Sequence, residues 1–387
     1  MWTFIIRRLL TVPLLLIGVA LITFLLQRWA PGDFFTQMEM DPSKTTADLL
    51  RMKADAGLMK RVSTDTLVEL SSFRTAGSSF SFTEQGILRD GQPVASTDVR
   101  TELRKFTVGL RLFEMDEQGA VYREISSLEG FGRWCLGALR GNFGLSFQHR
   151  RPVFELIMER LWNTLKLSLA ALVIAWGLAV PLGVLAAVKP GSLPDHLCGL
   201  IAFFGLSIPS VFFALLMVLF ASLTGWFPIG DMVDVVNYDS MSLWEKVKNQ
   251  VHHLFLPAIV IGTGTMAGYM RQTRGNMVEA LTQDYVRTAR AKGLSPNKVL
   301  FKHALRNAIN PLITLFGYSL AYLLTGSFLV EVVMNWPGMA RLVVDAIFAK
   351  DEPIVMAAVM VGSLLLVLGN LVADLLLALT DPRVRLS

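Results

Sequence analysis

Few side chains in this 387-residue chain have the type and spacing that catalysis or metal binding would require. The five histidines show no metal-ligand spacing, and the adjacent pair His252 and His253 fits a helix boundary better than a metal site. The two cysteines, Cys135 and Cys198, are too few for a disulfide framework. A nucleotide-binding loop of the form G-x-x-x-x-G-K-[ST] does not occur in the sequence. The sequence therefore predicts a chain that is not an enzyme and that holds no cofactor and no metal of its own.

The composition indicates a membrane protein. Hydrophobic residues make up 53% of the chain, charged residues 17%, and the mean hydropathy is +0.49, whereas soluble domains carry about 25% charged residues. Ionisable residues inside membrane helices usually mark proton or ion pathways, and the apolar stretches of this sequence contain a single charged residue, Asp374. We interpret Asp374 as an interfacial residue that caps the helix or pairs near the Arg383 and Arg385 tail rather than as a proton relay. Such a chain is either a passive pore or a membrane subunit that a partner powers.

The most basic segment covers residues 271–306, with eight Lys or Arg residues against two acidic ones. Residues 276–292 favour a helix, and Gly293 suits the left-handed position that follows a helix C-terminus. Ser295-Pro296 then fits the start of a second helix. The sequence predicts a compact basic elbow, where small side chains such as Ala289 would let another protein approach the backbone. A solvated loop is the alternative, which explains the charge but not the placement of the Tyr, Ala and Gly residues.

Six apolar stretches must carry this elbow, and we predict each as a membrane span, although the fourth is short for a hydrocarbon core about 30 Å thick. They are Leu9–Leu26, Leu167–Val188, Leu197–Thr224, Leu254–Tyr269, Pro311–Val330 and Ile354–Leu379. The first stretch lacks an A-x-A cleavage site, so we interpret it as a retained helix rather than a secretory signal. Pro181 and Pro209 lie inside predicted spans and are candidate helix bends, although ordinary kinks satisfied by neighbouring helices explain them equally well.

The distribution of Lys and Arg sets the predicted orientation, because cytoplasmic loops of membrane proteins are enriched in both. Residues 271–306 are strongly basic, whereas residues 225–253 carry four acidic residues against two basic ones. We therefore expect residues 271–306 in the cytoplasm. Counting spans from there places both chain termini in the cytoplasm and residues 28–166 outside it.

Much of that outer segment has the pattern of a small soluble domain. The alternating runs Phe106–Phe113 and Ala120–Ile125 flank Asp116-Glu117-Gln118-Gly119, which is typical of a hairpin turn. The predicted fold class is an all-α polytopic membrane protein of about six transmembrane helices, with a small α+β extracytoplasmic insert between the first two. The predicted boundaries are residues 1–33 for the first helix, 34–130 for the insert, and 131–387 for a core that includes a coupling loop at 271–310.

Several motifs in order resemble one family. Residues 284–293 read DYVRTARAKG and are followed by His303-Ala304-Leu305-Arg306-Asn307, which resembles the EAA-type loop of ABC import permeases, and more narrowly of the dipeptide, oligopeptide and nickel branch. Arg287 occupies the Glu position of the general pattern, and Phe34 stands where the branch usually has Pro. Further matching motifs are Arg7-Arg8 to Gly32-Asp33, Gly141 to Ser146 with Arg151-Pro152-Val153, Ser207 to Ser210 with Gly225 to Pro228, Trp336 to Met339, Asn370 to Asp374 and Asp381-Pro382-Arg383.

The resemblance implies a permease subunit of an ATP-binding-cassette importer in the cytoplasmic membrane. It implies as partners a second permease subunit that we expect to be a different chain, two ATP-binding subunits that hold ATP and Mg, an extracytoplasmic solute-binding protein and the lipid bilayer, but no nucleic acid. In the family, a short coupling helix in this loop enters a groove of the ATPase. The residues that correspond to it here are Asp284, Tyr285, Val286, Arg287, Ala289, Arg290, Ala291, Lys292 and Gly293.

Two other classes of protein remain as alternatives. An ion-coupled transporter or channel would need no ATPase and would be expected to place functional acids within its helices. A membrane-anchored sensor would be expected to carry a cytoplasmic signalling domain. The cargo stays open among peptides, nickel and glycosides.

Overall fold

The computed structural model describes residues 2–30, 32, 34–39, 43–63, 73–75, 78–83, 86–95, 98, 103–108, 111–313, 315–316 and 328–380. The chain divides into two compact units, which are described separately. One contains residues 1–19, 157–345 and 358–387, and the other contains residues 20–156 and 346–357. The predicted boundaries at 34–130 and 131–387 stay predictions.

The helices of the described residues range from single short turns to one of 40 residues. They are α1 Trp2–Trp29, α2 Phe34–Met38, α3 Thr46–Asp55, α4 Ser127–Leu139, α5 Val153–Val188, α6 Leu193–Ser207, α7 Ser210–Thr224, α8 Leu243–Thr282, α9 Asp284–Ala291, α10 Pro296–Lys298, α11 Arg306–Ala308, α12 Phe328–Val333, α13 Met339–Ala349 and α14 Glu352–Thr380. A π-helical segment, Val299–Leu305, joins α10 to α11, and Tyr238–Ser240 forms a 3-10 turn.

Four of these helices, α1, α5, α8 and α14, are long and apolar enough to cross a membrane. A fifth crossing results if α6 and α7 are counted as one broken span. The fifth predicted span, at 311–330, lies largely outside the described residues. A mostly helical chain with membrane helices is therefore confirmed, while the number six remains a prediction.

The third predicted span is broken at Pro209, one of the two residues named as candidate helix bends. The chain breaks between α6 and α7 and changes direction by 103°. Ile208 and Pro209 both adopt extended backbone angles at the break. Proline has no N–H to donate and disfavours helical angles in the residue before it, so the helix ends at Ser207 and restarts at Ser210. In contrast, α5 continues through Pro181.

The fourth span was predicted too short, because α8 has 40 residues and extends beyond Leu254–Tyr269 at both ends. Its start is fixed by a capping box between Ser242 and Glu245.

Two packing contacts of α8 depend on small residues. A Cβ on Gly262 would lie 3.0 Å from the Ala171 carbonyl oxygen of α5, and a Cβ on Gly205 of α6 would lie 2.9 Å from the Ala267 Cβ of α8. Close helix–helix approach at small residues is typical of membrane bundles.

The unit that contains residues 20–156 holds two antiparallel four-stranded sheets. The strands are β1 Met59–Arg61, β2 Phe73–Thr75, β3 Ser78–Thr83, β4 Gly86–Arg89, β5 Gln92–Val94, β6 Lys105–Val108, β7 Arg111–Met115 and β8 Val121–Glu124. Their orders are β1-β8-β7-β6 and β2-β3-β4-β5. The region predicted as an insert therefore does contain strands, and its placement outside the cytoplasm stays a prediction.

Stacked aromatic rings form the core of this unit. Phe73 and Phe106 lie 4.7 Å apart between ring centroids, and Phe106 and Phe113 lie 5.4 Å apart. The interpretation of Phe106–Phe113 as one alternating run was wrong, because Phe106 and Phe113 are paired across β6 and β7. The turn expected at Asp116–Gly119 joins β7 to β8. There the Asp116 carboxylate accepts hydrogen bonds from the N–H groups of Gln118 and Ala120, and Gly119 has φ +85°.

Candidate coupling site and cavity

A sharp elbow separates α8 from α9. Gln283 has extended backbone angles between the two helices. At the other end of α9, Gly293 has φ +73°, the left-handed conformation that glycine adopts without strain. The Gly293 N–H donates to the Arg290 carbonyl at 3.0 Å. Ser295 then has extended angles and Pro296 begins α10. The turns at Gly293 and Pro296 therefore follow from the conformational preferences of these residues alone.

One face of α9 packs into the protein. Val286 is fully buried and Ala289 nearly so. Both belong to a cluster of buried apolar side chains from α5, α8 and the segment after α9, namely Val184, Ala187, Met277, Ala280, Val299, Ala304 and Ala308. The small side chain of Ala289 thus lets α9 approach its own core. The expectation that Ala289 opens the backbone to another protein does not fit this placement.

The rest of the α9 surface is exposed and carries basic residues. Tyr285, Arg287 and Arg290 are all exposed, with Tyr285 and Arg290 at the two borders of the buried face. Ala291, Lys292 and Gly293 continue this exposed surface. The ion pair between Arg287 and Asp284 spans 3.5 Å with both side chains largely in solvent, so it contributes little stability. Of the nine predicted site residues, seven therefore lie on an outward surface, while Val286 and Ala289 hold that surface to the core.

An ion pair that sequence reasoning missed connects α6 to α8. Arg274 donates to Asp195 through Nε at 2.5 Å and through Nη2 at 2.8 Å. The Gly191 N–H donates to the same carboxylate at 2.9 Å. Asp195 is buried, and Arg274 lies ten residues before α9 begins. The pair joins the start of α6 to the helix that leads into the elbow.

A cavity of about 760 Å³ lies in the unit that contains α5 to α8. The break between α6 and α7 forms part of its wall through Ile208 and Ser210. The remaining described lining residues are Ser168, Ala171, Leu172, Ala175, Ile201, Phe204, Gly205, Phe213, Val260, Ile261, Thr263, Gly264, Thr265, Tyr269, Leu315 and Val330. None of these described residues carries a charge at neutral pH, and the volume fits a small solute rather than a macromolecule.

A buried polar network lies one residue beyond the cavity wall. Glu331 follows Val330 and is fully buried; its carboxylate accepts from the Thr164 hydroxyl and from the Ala340 N–H, each at 2.8 Å. The Thr164 hydroxyl oxygen in turn accepts from the Met339 N–H at 2.8 Å. These bonds hold the turn between α12 and α13 against α5.

Indole and amide hydrogen bonds extend this network. The Trp336 indole donates to the Asn163 carbonyl at 3.1 Å, and the Asn163 amide donates to the Pro337 carbonyl at 3.0 Å. Glu331 directly follows the fifth predicted span, which was drawn from apolar residues alone and therefore ends at Val330. Its partner Thr164 is 167 residues away, so no local pattern points to the pair.

The loop before α8 is folded by a capping carboxylate. The side-chain amide of Asn237, together with the N–H groups of Asn237 and Val236, hydrogen-bonds to Asp234 and holds the pKa of that carboxyl below its usual value. The nearby histidines serve local structure, since a ring nitrogen of His252 lies 2.8 Å from the Trp226 carbonyl and one of His253 lies 2.9 Å from the Asn249 carbonyl. Within the described residues no group of three metal-ligating side chains converges.

The two cysteines and Asp374 are the remaining residues interpreted from the sequence. Cys135 and Cys198 are both free thiols. The side chain of Asp374 and the residues at 381–387 lie outside the described part of the structure, so the predicted pairing with Arg383 and Arg385 stays a prediction.

Comparison with known proteins relates the chain to transport permeases. A family model described as "Binding-protein-dependent transport system inner membrane component" matches residues 179–386, more than half of the chain. The oligopeptide transport system permease protein AppB of Bacillus subtilis is 44% identical over 254 residues, which cover 65% of this chain and 78% of that protein. The dipeptide transport system permease protein DppB of Escherichia coli K12 is 37% identical over 266 residues, covering 64% and 78%. The glutathione transport system permease protein GsiC of the same organism is 38% identical over 256 residues, covering 66% and 78%.

A solved structure of the MetNI methionine ABC transporter in inward-facing conformations aligns at 16% identity. The alignment covers 57% of this chain and 96% of that one, with a TM-score of 0.42.

Proposed function

Because the chain belongs to the family of binding-protein-dependent transport system inner membrane components, we propose that it translocates peptides, or a related small solute, through an importer powered by separate ATPase subunits. The observation that supports this proposal is the elbow around α9, which presents an exposed basic surface on a helix whose other face is packed into the core. Such a helix can transmit the movement of a bound partner protein to α5 and α8 together.

The proposed coupling site consists of Asp284, Tyr285, Val286, Arg287, Ala289, Arg290, Ala291, Lys292 and Gly293. Tyr285, Arg287, Arg290 and Lys292 contact the ATPase, while Val286 and Ala289 relay its movement to the helices. Bends at Pro209 and Pro181 would let the spans around the cavity open and close in alternating access. The chain itself binds neither ATP nor Mg, which the partner subunits hold.

The proposed assembly pairs this chain with a second, different permease subunit. Two ATP-binding subunits dock on the cytoplasmic side, and a solute-binding protein docks on the other. Both termini and residues 271–310 face the cytoplasm, while residues 34–130 form an extracytoplasmic domain. The uncharged wall of the cavity suits cargo held by backbone and apolar groups, which supports peptides over a bare metal ion such as nickel.

Purification of the tagged chain from its native host tests the assembly. We expect two ATP-binding chains and a second permease to copurify, and proteoliposomes of the complex to accumulate peptide only with ATP and the solute-binding protein. Peptide uptake by the chain without any ATPase, driven by a proton or sodium gradient, would instead establish an ion-coupled transporter.

Substitution of Gly293 tests the coupling role. A Cβ at this position meets no atom of this chain within 4 Å, so within the chain a substitution there acts through the backbone conformation. Valine in the left-handed region costs about 1–2 kcal/mol, whereas Asn tolerates that region. We expect Gly293→Val to lower ATP-driven uptake about 5- to 30-fold at unchanged membrane insertion, and Gly293→Asn to stay close to the unsubstituted protein. Equal uptake by the Val variant would refute the coupling role of the elbow.

A further inference from the structure

Helix α4, Ser127–Leu139, has three distinct faces. At about 100° per residue, one face points inward and contains Phe131, Trp134 and Ala138. Trp134 packs against Phe143 at 6.3 Å between ring centroids, and Ala138 is buried. This inward face accounts for less than half of the helix circumference.

A second face is apolar and points outward. Leu128, Leu136 and Leu139 lie on it and are 83%, 61% and 82% exposed. Gly132 and Cys135 fall between them on the same face. Large apolar side chains exposed this strongly in one row indicate contact with an apolar medium rather than with water.

The third face of α4 is charged. Arg133 and Arg140 fall within a narrow sector beside the apolar face, together with Glu129. Arg133 donates to Glu129 at 2.6 Å, and Arg123 also lies within 3.5 Å of that carboxylate. An apolar sector bordered by a basic one is the pattern of helices that lie in the plane of a membrane interface.

The position of α4 along α1 also places it at the level of a membrane interface. The rings of Phe131 and Phe24 lie 5.5 Å apart between centroids, so α4 packs on the end of a helix long and apolar enough to span a membrane. Phe24 precedes Trp29 by five residues, which is about 7.5 Å along a helix axis. Trp29 is 77% exposed, as is typical of aromatic residues at the headgroup level.

We propose that α4 is an interfacial helix whose Leu128, Leu136 and Leu139 side chains insert into the lipid bilayer beside α1. The exposed Ile22 and Leu26 lie on the side of α1 opposite Phe24, so lipid on that side would surround α1 while α4 packs against the Phe24 side. A depth of about 7.5 Å below Trp29 agrees with the 5–10 Å to which interfacial helices bury their apolar side. The basic sector then faces the headgroups. This inference stands apart from the transport function and requires only that α1 crosses the membrane.

Site-directed fluorescence quenching in the assembled complex tests the proposal. Cys135→Ala and Cys198→Ala remove the native thiols, after which Leu136→Cys or Leu139→Cys carries a small fluorophore in lipid nanodiscs. Arg133→Cys on the charged face of the same helix is the matched control. We expect lipids with a nitroxide near the headgroup to quench the label at the two leucine positions at least about twofold more than at position 133.

Two reference positions define the limits of the assay. Ile22→Cys reports a lipid-facing site on α1, and Val236→Cys reports an exposed loop. Strong quenching of the leucine positions by aqueous iodide, as at position 236, would show that the face lies in water. Protection of those positions from both quenchers would show that a protein subunit covers the face. Either result overturns the lipid assignment.

Discussion

The ion pair between Asp195 and Arg274 should limit local opening at the start of α6. In Asp195→Asn the side chain keeps its shape but loses its charge, and its amide N–H₂ faces an Arg274 N–H that needs an acceptor. Two hydrogen bonds at 2.5 and 2.8 Å are disturbed together, along with the bond from the Gly191 N–H. Since Asp195 is buried, water replaces these bonds poorly.

The expected magnitude follows from the burial of the two partners. A hydrogen bond to a charged group contributes about 1.5–3 kcal/mol when it is shielded from water. The Arg274 side chain is 39% exposed, so solvent screens the pair and we expect about 2 kcal/mol in total. Because 1.4 kcal/mol corresponds to about tenfold, local opening should become about 30-fold more frequent.

Amide hydrogen exchange of the segment 190–199 measures this opening directly in the purified complex. We expect exchange about 30-fold faster in Asp195→Asn. Arg274→Lys should fall between this variant and the unsubstituted protein, because an ammonium cannot make the paired contact of a guanidinium. Asp284→Asn is the matched control, since its ion pair with Arg287 is largely exposed. Equal exchange in the Asp195 and Asp284 variants would refute the role assigned to the buried pair.

Two further substitutions test packing. Gly338→Ala places a Cβ onto the Glu331 carboxylate and should lower the midpoint of thermal unfolding, with an overpacking cost of about 1–3 kcal/mol. Gly177→Ala in α5 is its control and should leave the midpoint unchanged, because a Cβ there meets nothing within 4 Å. Equal midpoints for the two variants would contradict the tight fit around Glu331. Phe80→Ala removes a fully buried ring from the two-sheet core and should cost about 3–5 kcal/mol, seen as faster proteolysis within residues 43–125. Ser81→Ala on the same strand is its control, and unchanged proteolysis of the Phe80 variant would show that the aromatic stack is not the core of this unit.

Sequence reasoning worked where the determining residues are neighbours in the chain. The turn at Gly293 follows from the freedom of glycine to adopt positive φ, and the start of α10 follows from Ser295-Pro296. The hairpin at Asp116–Gly119 is likewise set by the capping carboxylate and the following glycine. Each of these signals acts within about five residues.

The same reasoning missed features that depend on residues far apart in the sequence. Asp195 and Arg274 are 79 residues apart, and Thr164 and Glu331 are 167 residues apart. Counting charges shows only that Arg274 belongs to a basic segment, not that it pairs with Asp195. Hydropathy ends the predicted span just before Glu331 and gives no sign of its partner Thr164. Pro209 was named as a candidate bend, but the direction of α7 after it was not predicted, since an apolar run shows that residues avoid water but not where a broken helix turns.

The break between α6 and α7 adds backbone polar groups to a cavity wall whose described side chains are uncharged. A helix that ends leaves its last carbonyl groups without intrahelical donors, and a helix that begins leaves its first N–H groups without acceptors. Both kinds of terminus meet at Ile208 and Ser210, which line the cavity. The α6 carbonyls bring partial negative charge and the α7 amides partial positive charge to one place. Backbone N–H and C=O groups at such a break are the partners that both ends of an amide group would need, and side-chain substitutions that reshape the cavity leave them in place.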